Sequence, residues 1–212
     1  MRSYFIISAL TIALAFSGSI VPAVGESIVT PTAAQQQTSE IDRTIEEGNR
    51  LFKEGSAESL RKSIGQFENA LELARLAKAQ DKQALSLLSL GRLHSDLGEK
   101  QKALKFYNQS VHLWRVVGDR PSEAATLNNI GLVYNNLGEK QKALEYYNQA
   151  LPLRRVMGTS PEEKLSQQGG EATLLNNIGL VYNDLGEKQK ALDYFNQSLS
   201  IYLTIKILKV WL

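Results

Sequence analysis

The chain has no cysteine among its 212 residues. That absence removes thiolate catalysis, thiolate-bound zinc, disulfide staples and lipidation of an N-terminal cysteine. Histidine is almost as scarce, with only His94 and His112. No carboxylate or second histidine stands at ligand spacing from His112, and His94 falls in a repeated packing position, so neither reads as a metal ligand. There is no excess of one charge either. The 24 basic and 22 acidic residues are interspersed and leave a formal net charge of +2, which gives no electrostatic footprint for nucleic acid or an anionic membrane surface. The sequence also lacks a nucleophile elbow, an HExxH helix and a phosphate loop preceded by a strand. These gaps predict no cofactor and no enzyme activity.

What is present is repetition. The stretch Leu127 to Leu144, LNNIGLVYNNLGEKQKAL, returns at Leu175 to Leu192 with one change, Asn136 to Asp184. A looser copy runs from Leu88 to Leu104. Gly91, Gly131 and Gly179 mark the same point in each, at spacings of 40 and 48 residues, and a period of that size signals a solenoid.

Each copy has two halves. Leu127, Ile130, Gly131 and Tyr134 recur at i, i+3, i+4 and i+7, one face of a helix. Leu137-Gly138 then ends that helix, because glycine enters the left-handed conformation that closes many helices. A second helix follows, with Ala143, Tyr147, Ala150 and Leu151 on one face. Small residues let the two backbones approach, and the tyrosines fill the space between turns. A hairpin of this kind cannot bury its apolar face alone and must stack on its neighbours. The recurrent LGEKQKAL is then a turn and a solvated helix start, with Glu139–Lys142 and Glu187–Lys190 at supporting i,i+3 spacing.

At these residues the chain resembles the tetratricopeptide repeat (TPR) family, in the longer-period variety of kinesin light chains and of bacterial proteins with CHAT domains. The family's pattern falls on Leu127, Ile130, Gly131, Tyr134, Ala143, Tyr147 and Ala150. It recurs on Leu175, Ile178, Gly179, Tyr182, Ala191, Phe195 and Ser198, and on Leu87, Leu90, Gly91, His94, Ala103, Tyr107 and Ser110. The resemblance implies an all-α, right-handed α-solenoid of stacked helix hairpins, with repeats at about 41–83, 84–123, 124–171 and 172–212. It also implies that the first helix of each repeat lines a concave groove. The groove set would be Leu88, Arg92, Ser95 and Asp96, then Asn128, Leu132, Asn135 and Asn136, then Asn176, Leu180, Asn183 and Asp184. Asparagine offers both a donor and an acceptor, so such a ladder can pair with the backbone of an extended peptide. The alternative reading is that some asparagines, especially Asn129 and Asn177, bond neighbouring helices.

Outside the array, residues 1–25 read as a signal peptide, with Arg2, an apolar stretch from Tyr4 to Phe16, and small residues up to Gly25. The chain is therefore expected to be exported to a periplasmic or secreted location, the alternative being an uncleaved N-terminal anchor. Residues 26–38 lack apolar periodicity and are expected to be a flexible linker, with Ser39 capping the first helix. The first repeat is polar where the others are apolar, at Thr44 and Glu47, as suits an end cap. Pro152 is expected to bend its helix. The eight extra residues between the third and fourth repeats carry a helix start at Ser160-Pro161-Glu162-Glu163. Gly169-Gly170 is expected to break that helix before the fourth repeat. From Leu199 to Leu212 apolar residues face every direction, which predicts homo-oligomerisation through this segment. The functional expectation is a non-catalytic scaffold that binds a protein or an extended peptide. The alternative is the regulatory repeat region of a larger enzyme such as a CHAT-type protease.

Overall fold

The structure is a computed structural model that describes residues 32–155 and 160–211, without the side chains of 161–162 and 208–211. The candidate signal peptide lies outside the described residues. Among the described residues eight helices follow one another: α1 (Ala33–Glu54), α2 (Ala57–Leu76), α3 (Gln80–Asp96), α4 (Lys100–Val117), α5 (Arg120–Asn136), α6 (Lys140–Arg154), α7 (Pro161–Asp184) and α8 (Lys188–Trp211). No strand occurs among the described residues. They pair as hairpins α1–α2, α3–α4, α5–α6 and α7–α8, and each hairpin packs on the next through α2–α3, α4–α5 and α6–α7. The odd-numbered helices also touch one another in succession. The fold is an all-α solenoid of stacked helix hairpins.

The local chemistry explains the hairpins. Gly98, Gly138 and Gly186 take φ of 80°, 78° and 79°. The amide after each one, from Glu99, Glu139 and Glu187, donates back to the carbonyl of His94, Tyr134 and Tyr182 at 2.8 to 2.9 Å. This is the Schellman closure, which satisfies carbonyls that a helix end leaves open. The returning helix then lays an aromatic ring where the first has no side chain. A Cβ on Gly91 would stand 2.5 Å from Tyr107, and one on Gly179 would stand 2.7 Å from Phe195. Gly131 faces Tyr147 and Gly48 faces Phe67 in the same way.

A second ring pair closes each of the last three hairpins. His94 stacks on Phe106, Tyr134 on Tyr146 and Tyr182 on Tyr194, with centroids 5.2 to 5.5 Å apart. Lys142 and Lys190 lie over Tyr134 and Tyr182 while pairing with Glu139 and Glu187. His94 is buried and bonds Glu99 through Nδ1 at 2.6 Å, so it is a packing residue in the tyrosine position.

The first repeat is a polar cap. Its Glu47 and Arg50 stand 43 residues before Leu90 and Leu93, which are fully buried. In α1 they turn to water as an ion network of Arg50 with Glu47 and Glu54.

Several expectations fail. α1 begins at Ala33, inside the expected linker, and its cap is Thr32 rather than Ser39. Thr32 and Gln35 form a reciprocal capping box, which outweighs the weak periodicity of the glutamine run. Ser160 caps α7 with Glu163 as expected, but Gly169-Gly170 does not break the helix. α7 runs unbroken from Pro161 to Asp184, so the inner helix of the fourth repeat carries an N-terminal extension ahead of residue 172. Two helical glycines cost about 2 kcal/mol relative to alanine, but a Cβ on Gly170 would collide with Arg154. The inserted residues therefore lengthen the inner helix instead of forming a separate element. α6 passes through Pro152 and ends at Arg154, giving 15 residues against 18 in α4.

Candidate peptide-binding face

The odd-numbered helices carry the residues expected to line a groove, and two cavities lie between them. One, of about 360 Å³, sits between α3 and α5 and is lined by Arg92, Ser95, Asp96, Leu132 and Asn136, with Lys100 and Asn129. The other, of about 170 Å³, sits between α5 and α7, with Asn128, Asn129 and Thr173 in its wall. Asn129 belongs to both walls, so the two cavities adjoin.

The predicted set divides into free and committed members. Arg92 is exposed, and its guanidinium lies 5.3 Å from the Phe52 ring centroid. Asn136, Asn183 and Leu180 are exposed, and Asn176 is half-buried. Leu88 and Leu132 are half-buried against the core and contribute packing as well as surface. Asn135 and Asp184 are both tied to Lys140, which donates to Asn135 Oδ1 at 2.8 Å and pairs with the Asp184 carboxylate of the next repeat. Asn128 is also committed in part. Its Oδ1 accepts a bond from Asn177 Nδ2 at 2.8 Å, across from α5 to α7.

Asn177 thus follows the inter-helix alternative, whereas Asn129 bonds no neighbouring helix among the described residues and lines both cavities. Adjacent asparagines on a helix point about 100° apart, and pattern alone does not say which one meets the next repeat. Sequence reasoning also leaves out Lys100, which lines the first cavity, and Lys140, which ties Asn135 to Asp184. Each follows a Gly-Glu turn by one position, and Lys100 Nζ bonds Ser95 O at 2.7 Å. The recurrence of GEK in all three copies was the available signal.

The electrostatics are mixed. Arg92 and Lys100 face Asp96 in the first cavity. Among the described residues no group of three or more histidine, aspartate or glutamate side chains could hold a metal. No helix among them is long and apolar enough to cross a membrane.

Comparison with known proteins accords with this architecture. Family models described as tetratricopeptide repeat match residues 102–155, and residues 84–113 and 172–204. No curated protein matches the chain. Among solved structures, the TPR-like repeats of a Podosopora anserina protein described as a kinesin light chain superpose with a TM-score of 0.50 at 15% identity. That superposition covers 78% of this chain and 96% of the other. MamA aligns at TM-score 0.45 and 21% identity, over 83% of this chain and 98% of its own. BtubC from P. vanneervenii aligns at 0.35 and 17%, over 83% and 93%. Four stacked hairpins with the glycine–aromatic contact agree with these family models, and residues 84–155 and 172–204 are similar to tetratricopeptide repeats.

Proposed function

We propose that the face formed by α3, α5 and α7 binds an extended segment of a partner protein, and that the chain works by binding rather than by catalysis. One observation carries this reading: Asn129 stands in the wall shared by two adjoining cavities, with Asn136 and Arg92 beside it. Free amide and guanidinium groups at successive inter-helix steps suit the regularly spaced carbonyls and amides of an extended backbone.

Peptides selected from a random phage-displayed library on the purified chain test it. The Asn129→Ala, Asn136→Ala double variant removes two such groups, each worth about 0.5–1.5 kcal/mol. Selected peptides should bind it about 10- to 100-fold more weakly. Unchanged affinity in a variant with an unaltered melting curve defeats the reading.

Export belongs to the same proposal, on the strength of the charged, apolar and small-residue order of residues 1–25. N-terminal sequencing of the fractionated protein should find a new end near Ala23 or Gly25. An intact Met1 on cytoplasmic material would overturn it.

A further inference from the structure

The even-numbered helices are tied to the helices that follow them by a recurring ion pair. Arg115 of α4 meets Glu123 of α5 at 2.7 Å, and Arg155, at the end of α6, meets Glu171 of α7 at 2.8 Å. Both carboxylates sit largely inside their junctions, with side chains 12% and 18% exposed. The junction of α2 with α3 keeps the arginine, as Arg75, but has Gln83 in the place of the glutamate. Gln83 Nε2 donates to Ala74 O at 3.1 Å. Arg75 is left with Glu72 on its own helix, at 3.3 Å and in water, where an ion pair holds weakly.

A cavity of about 430 Å³ opens at this junction, between α2, α3 and α4. Leu71, Leu87 and Leu113 form its apolar wall, and Arg75, Gln83 and His112 stand on its polar side. Leu71 and Leu87 are buried, whereas Arg75 and His112 reach water. His112 has no hydrogen-bond or charge partner among the described residues. It is also peculiar to this junction, since Pro152 and Ser200 take its position in the later repeats. Leucines with a few polar groups around such a volume match a small-molecule site, which spans roughly 300–1,000 Å³. The cavity is separate from the candidate peptide-binding face. Gln83 and Arg92 stand nine residues apart on α3, two and a half turns, and so on opposite sides of the helix.

We propose that this cavity binds a small amphiphilic carboxylate, an apolar body the length of a medium-chain fatty acid with one anionic head. The head takes the place that the Glu123 and Glu171 side chains fill in the next two junctions. It accepts from the Arg75 guanidinium, whose planar fork suits a carboxylate, and the His112 imidazole adds a second donor at the rim. The apolar body lies against the three leucines, which supply the part of the affinity that a lone anion would lack. The other two junctions cannot take such a ligand, because each already holds its own carboxylate.

Titration of the full chain with octanoate, octanamide and acetate tests it, followed by NMR at the side-chain amides of Asn108 and Gln109 in the cavity wall. Octanoate should give saturable shifts. Octanamide keeps the body without the charge, and acetate keeps the charge without the body. Each should bind at least about tenfold more weakly than octanoate. Arg75→Gln should weaken octanoate binding by about tenfold or more. Gln83→Glu restores the carboxylate of the other junctions and should abolish binding. The proposal is overturned by a lack of saturable octanoate shifts, by equal binding of octanamide or acetate, or by unchanged octanoate binding in both variants with dispersed spectra. The peptide-binding reading does not enter this test, since neither Asn129 nor Asn136 lines the cavity.

Discussion

Gly91 and Tyr107 are matched so closely that a single added carbon at the glycine would stand 2.5 Å from the tyrosine ring. The ring is 2% exposed. Gly91→Ala gains about 1 kcal/mol of helix propensity but overpacks the hairpin, a change that costs typically 1–3 kcal/mol. The net effect should be a loss of stability in urea unfolding, with a larger loss for Gly91→Val. Gly65 is the contrasting case, since a Cβ added there would meet nothing within 4 Å, and it should accept alanine with a gain.

Tyr147 offers the opposite opportunity. It is fully buried, and its hydroxyl has no hydrogen-bond partner. The fourth repeat carries Phe195 in that position and the first carries Phe67. Tyr147→Phe removes a desolvated polar group without leaving a cavity, so the variant should be equally stable or up to about 1 kcal/mol more stable.

Burial also pushes the Tyr107 and Tyr147 phenols well above their ordinary range. A raised folded-state value means the stability they contribute is complete below the unfolded value, about 10, and is lost as pH climbs past it. Thermal midpoints should therefore fall above about pH 10, and less steeply in Tyr107→Phe. An identical alkaline profile in wild type and variant would show that these phenols do not govern it.

Ser110 Oγ donates to Ala84 O at 2.8 Å, and Ser198 Oγ donates to Ala172 O at 2.7 Å, both buried and both spanning 26 residues. The third repeat has Ala150 in that place, opposite Ala124. Ser110→Ala should cost about 0.5–1.5 kcal/mol. Ala150→Ser restores the missing donor and should raise the melting temperature. A fall would mean the α5–α6 hairpin is packed too tightly for the hydroxyl.

Leu192, Leu199 and Leu203 on α8 are 52%, 55% and 52% exposed, whereas the earlier counterparts of Leu192, Leu104 and Leu144, are 6% and 7%. We expect this patch to make the chain self-associate. Leu199→Gln with Leu203→Gln should give a monomer by sedimentation at little cost in stability, since both side chains already face water. A monomeric unaltered chain would show that the patch stays solvated.

Much of the fold was legible because its signals are periodic. The glycine at one point and the aromatic ring sixteen residues on, as in Gly131 and Tyr147, state a contact that repeats in the last three hairpins. Helix starts were harder to read. Thr32 and Ser160 make the same capping box, yet the glutamine run after Thr32 has no apolar face to announce a helix. Gly169-Gly170 misled for a related reason. A glycine breaks a helix only where nothing rewards its continuation, and Arg154 lying over Gly170 belongs to a different repeat. The groove was least legible, because Asn128 and Asn129 are chemically alike and only the position of Asn177 tells them apart.

Each hairpin touches only the one before and the one after it, so the array behaves like a row of coupled units rather than a single globule. Energetic effects of changes made in α2 and in α8 should add, because no shared neighbour links them. Changes at Asn128 and Asn177, or at Lys140 and Asp184, should not add, because those pairs span a junction. The strength of cooperation between the third and fourth units can therefore be measured directly, one double-mutant cycle per pair.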